Sequence, residues 1–458
     1  MQLVKSLLFV VLIFDMALLK ADQKPNVIII FADDMGYGDM SCNGNPSIKT
    51  PHLDRMAYEG QKWTNFYVAA PVCTPSRAGL LTGRLPIRNG MCSNKRRVLF
   101  PDSQGGLPQS EYTLAEMFKS AGYETGMVGK WHLGHKAEFL PIKHGFDSWY
   151  GIPYSNDMDA NRELINQVKK DKSLPWHKGK HWEEPKSEYW EVPLMQGETI
   201  LERAPNQELL TKTYTEKSQQ FIRVNKDKPF FLYLAHSMPH VPLFRSNKFK
   251  DVSTMGLYGD VIEELDWSVG QVLKTVKEMG LEQQTIVVFT SDNGPWLSFK
   301  TQGGIAGPLR DGKGSTWEGG MREPTVIWGP GYVKPGIIHD LGSTLDMMAT
   351  FAKMSGGKMP EVKHDSYDLS SVLQYKKASP RKEMFYYHGE KLQAVRSGRH
   401  KAIFNQAGKA TELYDLNLDP GENYNLLDKK LEVITEISSL REAHLKGVEK
   451  AKNQLILR

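Results

Sequence analysis

Pro25-Asn26-Val27-Ile28-Ile29-Ile30-Phe31 runs directly into Ala32-Asp33-Asp34-Met35-Gly36. A continuous, β-branched apolar run of this size reads as a strand buried on both faces, as in a parallel sheet. The run 285–290 (Thr-Ile-Val-Val-Phe-Thr) repeats the pattern and ends in Ser291-Asp292-Asn293-Gly294. A third strand, 230–235, ends near His236 and His240, and a shorter one is expected over 124–128. Helical patterns at 53–59, 114–121 and 258–279 lie between them. This alternation predicts an α/β fold: a large doubly wound, mixed sheet flanked by helices. Acidic and histidine residues recur just past the strand C-termini, the edge where open α/β sheets bind ligands.

Asp33, Asp34, Asp292 and Asn293 offer only oxygen donors, which select a hard cation, calcium or magnesium, over zinc. No histidine or cysteine cluster with zinc spacing accompanies them. Each pair alone is turn-like, because Asp, Asn and Gly favour turns. Two such pairs, each closing a buried strand, point to a metal site.

Residues 73–77 read Cys73-Thr74-Pro75-Ser76-Arg77 and continue into Ala78-Gly79-Leu80-Leu81-Thr82-Gly83-Arg84. Pro75 suits a first helical turn, and Ala78, Leu80 and Leu81 are good helix formers. Cys73 is therefore expected at or just before a helix N-terminus, where free N–H groups and the dipole favour an anion. Arg77, four residues on, shares its face. Three further segments follow probable strands or glycine-rich turns: Gly129-Lys130-Trp131-His132, Ser237-Met238-Pro239-His240 and Gly312-Lys313-Gly314. Lysines can clamp an oxyanion, and histidines can act as acid and base near neutral pH.

The Cys73 segment, with these partners, resembles the signature of the type I formylglycine sulfatases of the alkaline phosphatase superfamily. The layout is similar to the arylsulfatase and N-acetylgalactosamine-6-sulfatase branches, from about residue 25 to 324, with a matching tail at 413–422. The resemblance implies that Cys73 is oxidised to formylglycine (3-oxoalanine) by a formylglycine-generating enzyme, and that its hydrate attacks sulfur. It implies that Arg77 stabilises that hydrate. Asp33, Asp34, Asp292 and Asn293 would bind calcium or magnesium beside residue 73. Lys130 and Lys313 would hold the sulfate, and His240 would protonate the leaving oxygen. His132 would contact the hydrated aldehyde, and His236 would line the substrate pocket. The implied partner is a sulfated oligo- or polysaccharide. Phosphonate and phosphodiester hydrolases of the superfamily typically carry Asp-His where this chain has Asp292-Asn293, which favours sulfate. A sulfated-glycan binding protein without turnover is the reading from another class.

The chain has 458 residues, enough for a large α/β domain and a smaller companion. Its formal charge is +5; without residues 1–21, which hold Lys5, Lys20 and Asp15, it is +4. That suits an anionic substrate, and no Lys/Arg cluster is dense enough for nucleic acid. Residues 1–21 have a basic start and an apolar stretch too short for a comfortable membrane span. They are expected to be a signal peptide, making the protein secreted or periplasmic. Besides Cys73, Cys42 and Cys92 either pair after export or remain free thiols. The polar stretch 155–195, with Trp176, Trp182 and Trp190, is expected to be a long surface insertion or binding loop. The expected division is a catalytic domain over 22–375 and an α+β subdomain over 376–458, with strands in 393–404 and a closing helix at 431–448.

Overall fold

The computed structural model describes residues 24–168 and 179–457. The expected signal peptide and Trp176 lie outside the described residues. The main sheet has ten strands: β1 (Asn26–Ala32), β2 (Gln61–Tyr67), β3 (Glu124–Gly129), β4 (Ser148–Gly151), β5 (Pro193–Gln196), β6 (Thr199–Arg203), β7 (Phe230–Ala235), β8 (Thr285–Ser291), β9 (Thr325–Trp328) and β10 (Gly336–Ser343). Their order is β10-β2-β9-β8-β1-β7-β3-β4-β5-β6. The centre is parallel: β1 pairs with β7 and β8, and β3 with β7 and β4. Antiparallel β9 stands between β2 and β8, and the β5–β6 hairpin extends the far edge. The sheet is therefore mixed.

All seven residues of β1 are buried, and the six from Val27 to Ala32 divide alternately between two cores. Ile28 and Ile30 pack on one face with Leu53 and Met56 of α1 (Pro51–Glu59), Tyr214 and Ile222 of α4 (Leu210–Val224), and Val261 and Val269 of α5 (Gly256–Glu278). Val27, Ile29 and Phe31 pack on the other with Leu80 of α2 (Cys73–Thr82), Phe118 of α3 (Leu114–Ser120) and Phe351 of α6 (Met347–Ser355). Helices on both faces leave no wet side, which is why the strand lacks polar alternation.

A second, antiparallel sheet follows in the order β11-β12-β13-β14 (Glu383–His388, Lys391–Ser397, His400–Phe404, Ala410–Asp415). Val395, Ala402, Phe404 and Leu413 pack with Ile437 of α7 (Leu431–Lys446). Met384, Tyr386 and Ala394 pack on Tyr67, Val68, Met321 and Leu341 of the main body.

The stretch 155–195 departs from the surface insertion expected. In its described part, β5 pairs with β4, and Tyr189, Trp190, Val192 and Leu194 join the main core. Its aromatic and aliphatic residues bury while its lysines and glutamates remain outside, so average polarity hid a sheet extension. Cys42, Cys73 and Cys92 are all free thiols.

Candidate active site

The parallel ladder continues one residue beyond the strand ends. Asp33 N donates to Met238 O, Asp292 N to Ala32 O, His236 N to Phe31 O and Lys130 N to Ala235 O. These bonds bring residues far apart in sequence to one edge of the sheet. Asp34 then adopts a left-handed backbone, φ 69°, so successive aspartates leave the strand in different directions.

Cys73 is the first residue of α2, and Val72 is its extended N-cap. All ten residues of the helix are buried. The dipole therefore ends in a water-poor setting, where it acts more strongly on an anion than at a surface. The thiol lies 3.5 Å from Asp33 Oδ1. Burial, with Asp292 and Asp33 adding to it, outweighs the pull of Lys130 and Lys313 and leaves the thiol well above its ordinary range. As an unmodified side chain it is a poor thiolate nucleophile.

Arg77, one turn along, is fully buried and reaches the same centre. Its Nε and Nη2 donate to Asp292 Oδ2 at 3.1 and 2.7 Å, and Nη1 donates to Lys130 O at 3.2 Å. Lys130 Nζ meets Asp33 Oδ2 at 2.5 Å and Ser155 Oγ at 2.6 Å. Lys313 Nζ meets Asp34 Oδ2 at 2.7 Å. Three carboxylates (Asp33, Asp34, Asp292) thus face three cations (Lys130, Lys313, Arg77). Burial raises the Asp33 carboxyl, but Lys130, His240 and Arg77 outweigh it and hold it well below its usual range. Asp34 is pushed up by burial against the pull of Lys313, with Asp33 adding to the rise.

Asp33, Asp34, Cys73 and His240 offer ligand atoms within 4.8 Å of one another. Asn293 Nδ2 donates to Asp34 Oδ1 at 2.7 Å, while its fully buried Oδ1 has no hydrogen-bond partner among the described residues. An orphaned amide oxygen beside two carboxylates fits a metal ion. Asp292 differs: one oxygen accepts from Arg77 and the other from Asp34 N at 3.1 Å. His240, expected as the acid, stands beside this cluster, with Nε2 3.7 Å from Asp34 Oδ2.

Because Val241 O can only accept, His240 Nδ1 donates to it at 2.6 Å. That leaves Nε2 facing Ser155 Oγ at 3.5 Å. Burial first, and Lys313 next, hold this imidazole well below its ordinary range. His132 is committed likewise: Nε2 donates to Leu99 O at 2.9 Å, and buried Nδ1 has no partner among the described residues. His236 is not a pocket residue. It is fully buried against α5, where its Nε2 meets Ser268 Oγ at 3.1 Å, and it does not line the cavity over Cys73. The alternation past β7 puts it on the core side of the strand end.

A cavity of about 430 Å³ is lined by Cys73, His132, His240 and Lys313, and by Arg97, Phe100, Ser155, Asp157, Trp182 and Trp296, among others. Trp296 packs on His240, centroids 5.4 Å apart, and carries Lys313 Nζ 4.1 Å over its ring. Asp157 Oδ1 is buried with no hydrogen-bond partner among the described residues, and burial raises this carboxyl to about 6. Sequence reasoning missed Ser155, Asp157 and Trp296. Ser155 and Asp157 follow parallel strand β4, so its C-terminal end was the available signal. Trp296 stands three residues after Asn293. Of the tryptophans in the polar stretch, Trp182 lines the cavity, and Trp190 is core.

Comparison with known proteins agrees with this geometry. The Sulfatase family model matches residues 25–357. The chain is 40% identical over 435 residues to arylsulfatase A of Homo sapiens, covering 88% of this chain and 84% of that protein. It is 40% identical over 420 residues to N-acetylgalactosamine-6-sulfatase of Mus musculus, covering 88% and 76%. The solved structure of Ps i-CgsB in complex with k-i-k-neocarrahexaose superposes with a TM-score of 0.78 at 28% identity over 94% of each chain. An oxygen-rich, cation-balanced centre at a helix N-terminus, on a fold and sequence shared this widely, places the chain in the Sulfatase family, as a sulfuric ester hydrolase.

Proposed function

We propose that the protein removes sulfate from a sulfated saccharide, and that residue 73 carries the reaction as formylglycine. The observation that carries this reading is the burial of Cys73 at a helix N-terminus between three carboxylates and three cations. When present, the aldehyde hydrate at residue 73 supplies an oxygen nucleophile, and a calcium or magnesium ion supplies two positive charges to a centre otherwise balanced three against three. Asp33, Asp34 and Asn293 are the ligands the donor chemistry favours, with Asp292 completing the set. Lys130 and Lys313 receive the sulfate oxygens as fixed charges in a low-dielectric site. Arg77 holds Asp292 and backs residue 73. His132, with Nε2–H spent on Leu99 O, offers Nδ1 to accept a proton. His240, with Nδ1–H spent on Val241 O, can donate only as imidazolium, a form the anionic ester favours.

The aromatic wall of Phe100, Trp182 and Trp296 suits the face of a sugar ring. The names of relatives support saccharide sulfates: one acts on N-acetylgalactosamine 6-sulfate by name, and Ps i-CgsB was solved in complex with k-i-k-neocarrahexaose. Secretion or periplasmic export goes with this reading, as do maturation by a formylglycine-generating enzyme and a division at 22–375 and 376–458. Among the described residues, no helix is long and apolar enough to cross a membrane.

The test is mass spectrometry of the peptide spanning residue 73, together with turnover of 4-nitrophenyl sulfate. Conversion to formylglycine and loss of turnover in Cys73→Ala are expected. An ordinary thiol in active protein, or full activity in Cys73→Ala, would refute it.

A further inference from the structure

The cavity over Cys73 shares Val72 and Arg97 with a neighbouring one of about 230 Å³, which runs toward the second sheet. This neighbour is lined by Lys95, Arg97, Cys92, Tyr387, His388 and Gly389, among others. One side is the loop 93–97; the other is the tip of the β11–β12 hairpin. The two are seated on each other. Gly389 has φ 58°, and a Cβ there would lie 2.7 Å from Ser93 O. Glu390 N donates to Asn94 Oδ1 at 3.1 Å. Ser93 Oγ caps the loop by accepting from Lys95 N and Arg96 N at 3.0 and 3.3 Å.

The charged side chains that line this groove are basic. Lys95 and Arg97 are exposed and make no ion pair with any described residue, while Arg96 between them is turned to Asp102 at 2.5 Å. His388 feels Arg97 and Lys391, after burial, as the forces lowering its basicity, so those two charges stand near it. Among the described residues no carboxylate lines the groove; Glu390, in the hairpin turn, stands near enough to raise the Cys92 thiol and accepts from Asn453 Nδ2 at 2.8 Å. Unpaired cations in a concavity that continues from a sulfate-binding centre attract anions, and low-dielectric walls strengthen the field.

We propose that this groove is a second anion subsite, occupied by a charged group on the sugar next to the one that bears the scissile sulfate. The inference rests on the sulfatase reading above and narrows its substrate class. The preferred saccharide carries at least two anionic groups on neighbouring residues, and Lys95 and Arg97 hold the one that is not cleaved. Both a second sulfate ester and a uronate carboxylate have this chemistry.

The test measures binding by calorimetry to the full-length Cys73→Ser protein, with three probes: galactose 6-sulfate, a chondroitin 6-sulfate disaccharide (sulfate plus carboxylate) and a disulfated carrageenan disaccharide. At least one dianion should bind more tightly than galactose 6-sulfate, and the gain should shrink as salt is raised. Adding Lys95→Glu should weaken that dianion about 10-fold, and Lys95→Ala about 3-fold, as expected for a rim charge. Galactose 6-sulfate should change by less than about twofold in the same variants. Which dianion gains identifies the group. Equal weakening of all three probes would overturn the proposal, as would no gain for either dianion. Failure of the sulfatase reading shows separately, as no turnover of 4-nitrophenyl sulfate by the otherwise unaltered enzyme; Lys95→Glu should leave that turnover unchanged.

Discussion

Replacing Lys401 with methionine should destabilise the protein and weaken the hold of Lys313 on sulfate, although residue 401 lies on β13 of the second sheet. Lys401 Nζ is fully buried 3.1 Å from Glu318 Oε1 and 2.8 Å from Glu422 Oε1, and it donates to Thr316 O at 2.8 Å. Glu318 and Thr316 belong to the segment that carries Lys313. Tyr67 and Tyr386 hydroxyls also donate to Glu318, at 2.5 and 3.0 Å. Burial raises the Glu318 carboxyl, but Lys401, Arg396 and Arg322 outweigh it and bring it down to about 2 from 4.5. Glu422 is pushed the other way, by burial and by Glu318. A fall of that size corresponds to about 3 kcal/mol at neutral pH. It meets the lower end of the cost of breaking a buried pair, about 3–5 kcal/mol. With an unfolding entropy of about 1 kcal/mol/K for a chain this long, Tm should drop by about 3 °C. The sign follows from the depressed carboxyl: the stabilisation is complete above pH 4.5 and is lost as pH falls through 2. The gap between Lys401→Met and the parent should therefore narrow by about 1 kcal/mol at about pH 3.5. Calorimetric scans at both pH values and the KM for 4-nitrophenyl sulfate are the assays. A Tm within about 1 °C of the parent at neutral pH would refute the reasoning, as would an unchanged KM.

Asn293→Ala removes the orphaned amide oxygen and should weaken calcium or magnesium binding about 10-fold or more, read by titration calorimetry; unchanged affinity would remove Asn293 from the ligands. His240→Ala should slow alkyl sulfates much more than 4-nitrophenyl sulfate, because a good leaving group needs little protonation; equal losses would deny it the acid role. Gly79→Ala places a Cβ 2.2 Å from Ala69 Cβ inside a fully buried helix and should cost about 1–3 kcal/mol; an unchanged Tm would show that α2 can shift, and with it residue 73.

Much of the site was legible because its residues stand at strand ends. The run 26–32 showed burial on both faces, so Asp33 and Asp34 could be placed at a ligand-binding edge before any contact was known. The same logic located Asp292, Asn293, Lys130 and His240. It misled at His236, because composition does not say which side of a strand end a side chain takes; the ladder bond to Phe31 O turns it toward α5. It also misled over 155–195, where lysines and glutamates outnumber the buried Tyr189, Trp190 and Leu194 that join the core. Lys95 carries no local signal, since a lysine in a loop is ordinarily solvated.

By itself, the order of residues determined the two-faced strands, the helix that begins at Cys73 and the oxygen-only donor set, because each depends on neighbours within a turn or a strand. The balance of three carboxylates against three cations, the orphaned oxygen of Asn293 and the meeting of loop 93–97 with the β11–β12 hairpin were decided only by the tertiary structure. Those features join groups up to hundreds of residues apart. Their energies depend on separation and burial, which chain order does not encode locally.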